Sequence, residues 1–207
     1  MVVGAVIKSF ASPSTDPRGL TWDGHTLWHS DRFTDRIYQI DPITGAVIKF
    51  FASPDLNPTD LAWDGKTLWH CDTTLDRIYQ VNPITGAVIK FFGSPSLVPT
   101  GLTWDGKTLW HCDTNLDRIY QINPVTGAVI KFFAPPSTEP RSLTWDGKTL
   151  WHSDVNTDRI YQINPITGAV IQWFAAPDLD PTGLAWDGHT LWVATDNLDR
   201  IYQLETH

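Results

Sequence analysis

The stretch LTWDGKTLWHCDTNLDRIYQINPVTGAVIKFF, residues 102–133, decides the fold, because nearly the whole chain consists of copies of it. Its Trp-Asp-Gly tripeptide recurs at Trp22, Trp63, Trp104, Trp145 and Trp186, 41 residues apart each time. A period in this range marks a solenoid or a propeller. Within one copy, Asp105-Gly106 is a tight-turn signal, residues 113–117 form a polar connection, and Asn123-Pro124 with Thr126-Gly127 makes a second turn. Four short runs rich in β-branched and aromatic residues lie between these breaks, at 102–104, 108–111, 118–122 and 128–133. They predict four antiparallel strands per unit. No stretch has helical periodicity, and both faces of each run carry large apolar groups, as a sheet sandwiched between two others requires.

The ends choose between an open stack and a ring. The last copy stops after its third run, at Arg200–Leu204, while the chain opens with Gly4-Ala5-Val6-Ile7-Lys8, a repeat of Gly45-Ala46-Val47-Ile48-Lys49. An open solenoid needs polar caps and none is present, whereas a ring leaves only short outer edges. The expectation is an all-β, five-bladed propeller forming one domain over residues 1–207, with four antiparallel strands per blade. Residues 4–10 would supply the outer strand of the last blade, so that three strands from one terminus and one from the other close the ring.

Composition narrows the partners. The 207 residues fit one domain, and ten of the 11 tryptophans recur in register, which points to architecture before chemistry. A net charge of -8 and a pI near 5.1 exclude the basic patch that nucleic acid or an anionic membrane would need. The longest apolar runs, broken by Lys90, fall short of a membrane span. Residues 1–10 lack the basic start and full apolar segment of a signal peptide. The reading is a soluble monomer with no compartment assigned. Cys71 and Cys112 occupy the same place in consecutive copies, where neighbouring blades do not offer disulfide geometry, so free thiols are expected.

The pattern PTGLAWDGxTLWVATDNLDRIYQL, residues 181–204, resembles the blades of the NHL, gluconolactonase-like and streptogramin-lyase-like propellers. The resemblance runs along the whole chain, blade by blade. It implies the fold, while those relatives range over lactonases, phosphotriesterases, lyases and interaction modules, so it does not select an activity.

Differences between the copies are more informative than what they share. They concentrate in residues 14–19 and 32–34 and their equivalents, two loop types that a propeller presents on one face around its central channel, while the turns of the opposite face hardly vary. By analogy with the lookalike propellers, the residue four before each Trp points into the channel mouth: Arg18, Thr59, Thr100, Arg141 and Thr182. In the lactonase-like group the matching positions carry carboxylate and amide ligands to a divalent cation. Two arginines and three threonines do not make that set, so neither a metal nor another cofactor is expected. Two guanidinium groups on one concave mouth, flanked by hydroxyls, suit a carboxylate, phosphate or sulfate. Asp60 lies beside this ring and Glu139 near Arg141, which sets rim salt bridges against anion binding as equal readings.

A second set is His29, His70, His111 and His152, each followed two residues later by an aspartate, Asp31, Asp72, Asp113 and Asp154. Residues two apart on a strand share a face, so each pair points into one seam between blades. Val193 and Thr195 replace them in the fifth copy, and a site that accepts valine reads as packed core. Four imidazoles in separate blades would stand too far apart to share a metal ion. The recurring tryptophans read as inter-blade packing against sugar stacking. No Ser-His-Asp order, phosphate loop, paired carboxylates or zinc spacing stands out. The first functional reading is therefore a binding module or scaffold, with a small anionic molecule or a partner's loop at the mouth around Arg18 and Arg141. A hydrolase or lyase of the kind the resemblance implies competes with it, as do a symmetric scaffold amplified or engineered without a selected ligand and a multivalent lectin.

Overall fold

The structure, a computed structural model, describes residues 2–206. Its twenty strands form five four-stranded antiparallel sheets arranged as a propeller. After β1 (Val6–Ala11) the first blade runs β2 (Pro17–Trp22), β3 (Leu27–Asp31), β4 (Arg36–Ile40) and β5 (Val47–Ala52). The second holds β6 (Pro58–Trp63), β7 (Leu68–Asp72), β8 (Arg77–Val81) and β9 (Val88–Gly93), and the third β10 (Pro99–Trp104), β11 (Leu109–Asp113), β12 (Arg118–Ile122) and β13 (Val129–Phe133). The fourth holds β14 (Pro140–Trp145), β15 (Leu150–Asp154), β16 (Arg159–Ile163) and β17 (Val170–Ala175). In the fifth, β18 (Pro181–Trp186), β19 (Leu191–Thr195) and β20 (Arg200–Leu204) are completed by β1, which pairs antiparallel with β20 from Val6 opposite Leu204 to Ala11 opposite Arg200. The ring is closed by three strands from one end and one from the other. Among the described residues no helix is long and apolar enough to cross a membrane.

Each blade is built by polar side chains that bond their own turns. Asp105 Oδ1 accepts from the Lys107 and Thr108 amides at 2.8 and 2.6 Å, and Oδ2 from Thr108 Oγ1 at 2.7 Å and the Trp110 indole at 2.8 Å. One carboxylate thus closes the hairpin and fixes the ring that fills the core, which is why Asp precedes Gly in every copy. Gly106 follows at a φ of 94°, open to glycine at little cost. Each turn between third and fourth strands carries a glycine for a second reason: at Gly127, with a φ of 72°, a Cβ would stand 2.8 Å from the Phe92 ring of the preceding blade. In three blades the Asp of the Asp-Arg pair, Asp35, Asp76 or Asp158, accepts from an amide of the following connection, and in four the Arg stacks on an outer-strand ring. Asp76 Oδ1 accepts from the Val98 amide at 2.9 Å, and the Arg77 guanidinium lies 4.3 Å from the centre of the Phe91 ring.

The apolar core lies between blades. Ala62, Trp69, Cys71 and Ile78 of the second blade pack against Leu102, Leu109, Tyr120 and Ile122 of the third, and four similar clusters fill the other seams. Trp28, Trp69, Trp110, Trp151 and Trp192 are each at most 2% exposed, which leaves no face for a stacked sugar at these positions. Cys71 and Cys112 are free and buried.

Candidate functional site

At the channel mouth a cavity of about 120 Å³ is lined by Arg18, Arg32, Thr59, Thr73, Val98, Thr100, Arg141 and Thr182. It lies where the two variable loop types meet. The five positions read as the mouth ring all line it, and the structure adds Arg32, Thr73 and Val98. Asp60, placed beside the ring in sequence, is fully buried below it and does not line the cavity.

The threonines and arginines behave differently there. Thr59, Thr100 and Thr182 donate through Oγ1 to the first carbonyl of the next inner strand, Pro99 at 2.9 Å, Pro140 at 2.6 Å and Pro17 at 2.7 Å. Their protons stitch adjacent blades together, so the hydroxyls are not free donors to a ligand. The guanidinium groups supply the donors. Arg18, mostly buried, pairs with Asp16 and, across the ring closure, with Asp196 at 3.1 Å. Burial lowers its pKa from the ordinary arginine value, with Asp196 and Asp16 opposing the fall. Arg32 Nε meets Asp16 Oδ2 at 2.7 Å, and Arg141 Nη2 meets Glu139 Oε2 at 3.2 Å. The Nε groups of Arg18 and Arg141 are buried without a hydrogen-bond partner among the described residues. Three cations and three carboxylates thus surround the cavity. Asp196 is pushed above the usual carboxylate range by burial, and its neighbour Asp16 adds to that while Arg18 opposes it.

Reading sequence alone passes over Arg32, although the signal is present. Its equivalents are Thr73, Thr114, Val155 and Asp196, so it is the one basic residue at that place in a loop already marked by its variation.

The histidines lie elsewhere. His29, His70, His111 and His152 are fully buried. His29 Nδ1 lies 3.1 Å from the Gly19 carbonyl and Nε2 3.2 Å from Ser12 Oγ, which fits a neutral ring donating through Nδ1 and accepting at Nε2. Ser53 and Ser94 repeat the second contact with His70 and His111, each at 3.0 Å. In the fourth blade Pro135 replaces the serine, and in the fifth Ala176 accompanies Val193, so a polar pair gives way to an apolar one. Burial lowers the imidazole pKa to about 4 at His29, His111 and His152 and about 3 at His70. The partner aspartates close the next turn: Asp113 Oδ1 accepts from the Asn115 and Leu116 amides at 3.0 and 2.6 Å, and Asp31, Asp72 and Asp154 do likewise. Among the described residues no three His, Cys, Asp or Glu side chains converge on a metal position.

No family model and no curated protein match the chain. Solved structures do. Glutaminyl cyclase from Myxococcus xanthus superposes with a TM-score of 0.85 at 13% identity, over 97% of this chain and 95% of that one. The chain is a five-bladed β-propeller. Virginiamycin B lyase from Staphylococcus aureus matches at 0.58 and 20% identity, over 95% and 68% of the two chains. A propeller in a nidogen/laminin complex matches at 0.68 and 19%, over 94% and 77%. At these identities the likeness is one of fold.

Proposed function

We propose that this propeller is a binding module whose channel mouth takes a small anionic group, a carboxylate above all, presented by a free molecule or by a partner's loop. Glutaminyl cyclase and virginiamycin B lyase carry enzymes on this fold and the nidogen/laminin complex carries a protein partner, so the choice falls to the site. The supporting observation is the cavity lined by Arg18, Arg32 and Arg141, in which two buried Nε groups have no partner while the threonine protons are committed elsewhere. A cavity of about 120 Å³ has room for a carboxylate or phosphate group. The carboxylates beside each arginine temper the affinity, which should fall in the range of about 10⁻⁴ to 10⁻³ M.

A second reading, a scaffold whose arginines only brace the ring, draws on the same ion pairs to Asp16, Asp196 and Glu139. Calorimetric titration with acetate, succinate, citrate, phosphate and sulfate separates the two. Binding by one of these anions, weakened about tenfold or more by Arg141→Ala and abolished by Arg18→Ala with Arg141→Ala while circular dichroism stays native, supports the module. Heat-silent titrations across the panel support the scaffold.

A further inference from the structure

One level below the mouth, Gly19, Asp60, Gly101, Ser142 and Gly183 hold the same place in the five inner strands. Inner strands have no neighbour on the channel side, so amides that face the axis need a partner other than a ladder carbonyl. Asp60 supplies most of them. Its Oδ1 accepts from the Leu61 amide at 2.9 Å, and its Oδ2 from the Leu102 amide at 2.8 Å, the Leu143 amide at 3.3 Å and Ser142 Oγ at 2.8 Å. Ser142 Oγ in turn accepts from the Leu184 amide at 2.8 Å. Amides from four of the five inner strands therefore converge on two side chains.

The carboxyl group accepts from the Leu61, Leu102 and Leu143 amides and from Ser142 Oγ, all of them neutral donors. That is the arrangement of an anion receptor made from backbone amides. Asp60 is fully buried, and space is cleared for it: a Cβ on Gly19 would stand 2.5 Å from Asp60 Cα and 2.6 Å from Oδ1. Burial pushes its carboxyl well above the usual range, and the four donors pull against that rise.

We propose that the inner-strand amides form a buried anion site, that the Asp60 carboxylate occupies it as a tethered anion, and that removing this carboxylate opens the site to a free small anion such as formate or chloride. The site differs from the mouth in depth and chemistry, amides in place of guanidinium groups, and stands whether or not the mouth binds a ligand.

The test is thermal unfolding of wild type, Asp60→Gly, Asp60→Ser and Asp60→Asn in rising formate or chloride, each variant read against wild type in the same salt. Glycine is the residue of three other blades and serine that of the fourth blade. Asp60→Gly and Asp60→Ser should melt below wild type at low salt. They should then regain roughly 5–10 °C relative to it once the anion exceeds its Kd about a hundredfold. Asp60→Asn, whose amide still fills the space, should not respond. Equal salt responses in all four proteins would overturn the proposal, as would failure of both small variants to fold in formate and in chloride.

Discussion

Lowering the pH from 7 toward 4 is expected to unfold the protein in a steep transition, with most of its stability gone by about pH 5. Four fully buried histidines have folded-state pKa values of about 4, 3, 4 and 4 against an ordinary value of 6.5. Below 6.5 the unfolded chain takes up four protons that the folded one refuses. Stability is therefore complete above the unfolded value and falls as pH drops toward the folded one. Each histidine removes about 1.4 kcal/mol per pH unit in that window, so four together remove roughly 8 kcal/mol by pH 5, comparable to the whole stability of a typical domain. Asp60 and Asp72, whose pKa values are raised by burial, act in the opposite sense and return part of this as they protonate. Urea midpoints at pH 8, 7, 6 and 5 measure the slope. His152→Val, which copies Val193 and leaves no serine unpaired because Pro135 stands there, should flatten it by about one proton. A slope unchanged by that substitution would show that acid sensitivity arises elsewhere.

Removing residues 1–11 is expected to abolish the monomeric fold, whereas moving the same strand to the other end preserves it. Loss of β1 uncovers Trp192, which is 1% exposed and lies 5.9 Å from the Phe10 ring with Lys8 at 5.1 Å from its own. It also breaks the bonds from the Gly4 amide to the Glu205 carbonyl at 2.8 Å and from the Glu205 amide to the Ala5 carbonyl at 3.0 Å. The deletion takes away the partly buried Phe10 ring together with the whole β1–β20 ladder, and the unpaired β20 edge invites association with another copy. In a permuted chain where Thr206 is joined to Val2, the segment Glu205-Thr206-Val2-Val3-Gly4 has the length of the Asp41-Pro42-Ile43-Thr44-Gly45 turn. That protein should be monomeric with native circular dichroism. Light scattering on the two proteins decides the matter. A folded, monomeric truncation would mean that β1 is dispensable.

The architecture was legible because each copy carries its own turn chemistry. Asp105, Gly106, Asn123 and Gly127 mark hairpins whose bonds are local, and the Arg118–Ile122 strand matches the expected run residue for residue. The inner strand begins at Pro99, three residues before the predicted run, because Pro99 pairs with Asp113 across an irregularity at Gly101 that no apolar pattern announces. What escaped the sequence was what depends on a neighbouring blade. The serines that meet the histidines lie 17 residues away in the preceding connection, and the threonine protons are spent on carbonyls 40 residues along the chain. Asp60 stands out as the one acid at its position, but its burial is set by Gly19, Ser142 and the Leu102 and Leu143 amides of two other inner strands. The arginines of the mouth could be named from their singularity. Their ion pairs needed coordinates, since Asp196 comes from the opposite end of the chain.

Binding at the mouth rests above all on the free Nε groups of Arg18 and Arg141, and these can be watched directly. In arginine side-chain Nε nuclear magnetic resonance spectra of the labelled protein, adding the best-binding carboxylate should shift the Arg18 and Arg141 signals saturably. Those of Arg36, Arg77, Arg118 and Arg159, stacked on outer-strand aromatic rings, should stay in place. Arg18 and Arg141 signals that remain fixed at saturating anion would contradict a ligand at the channel mouth.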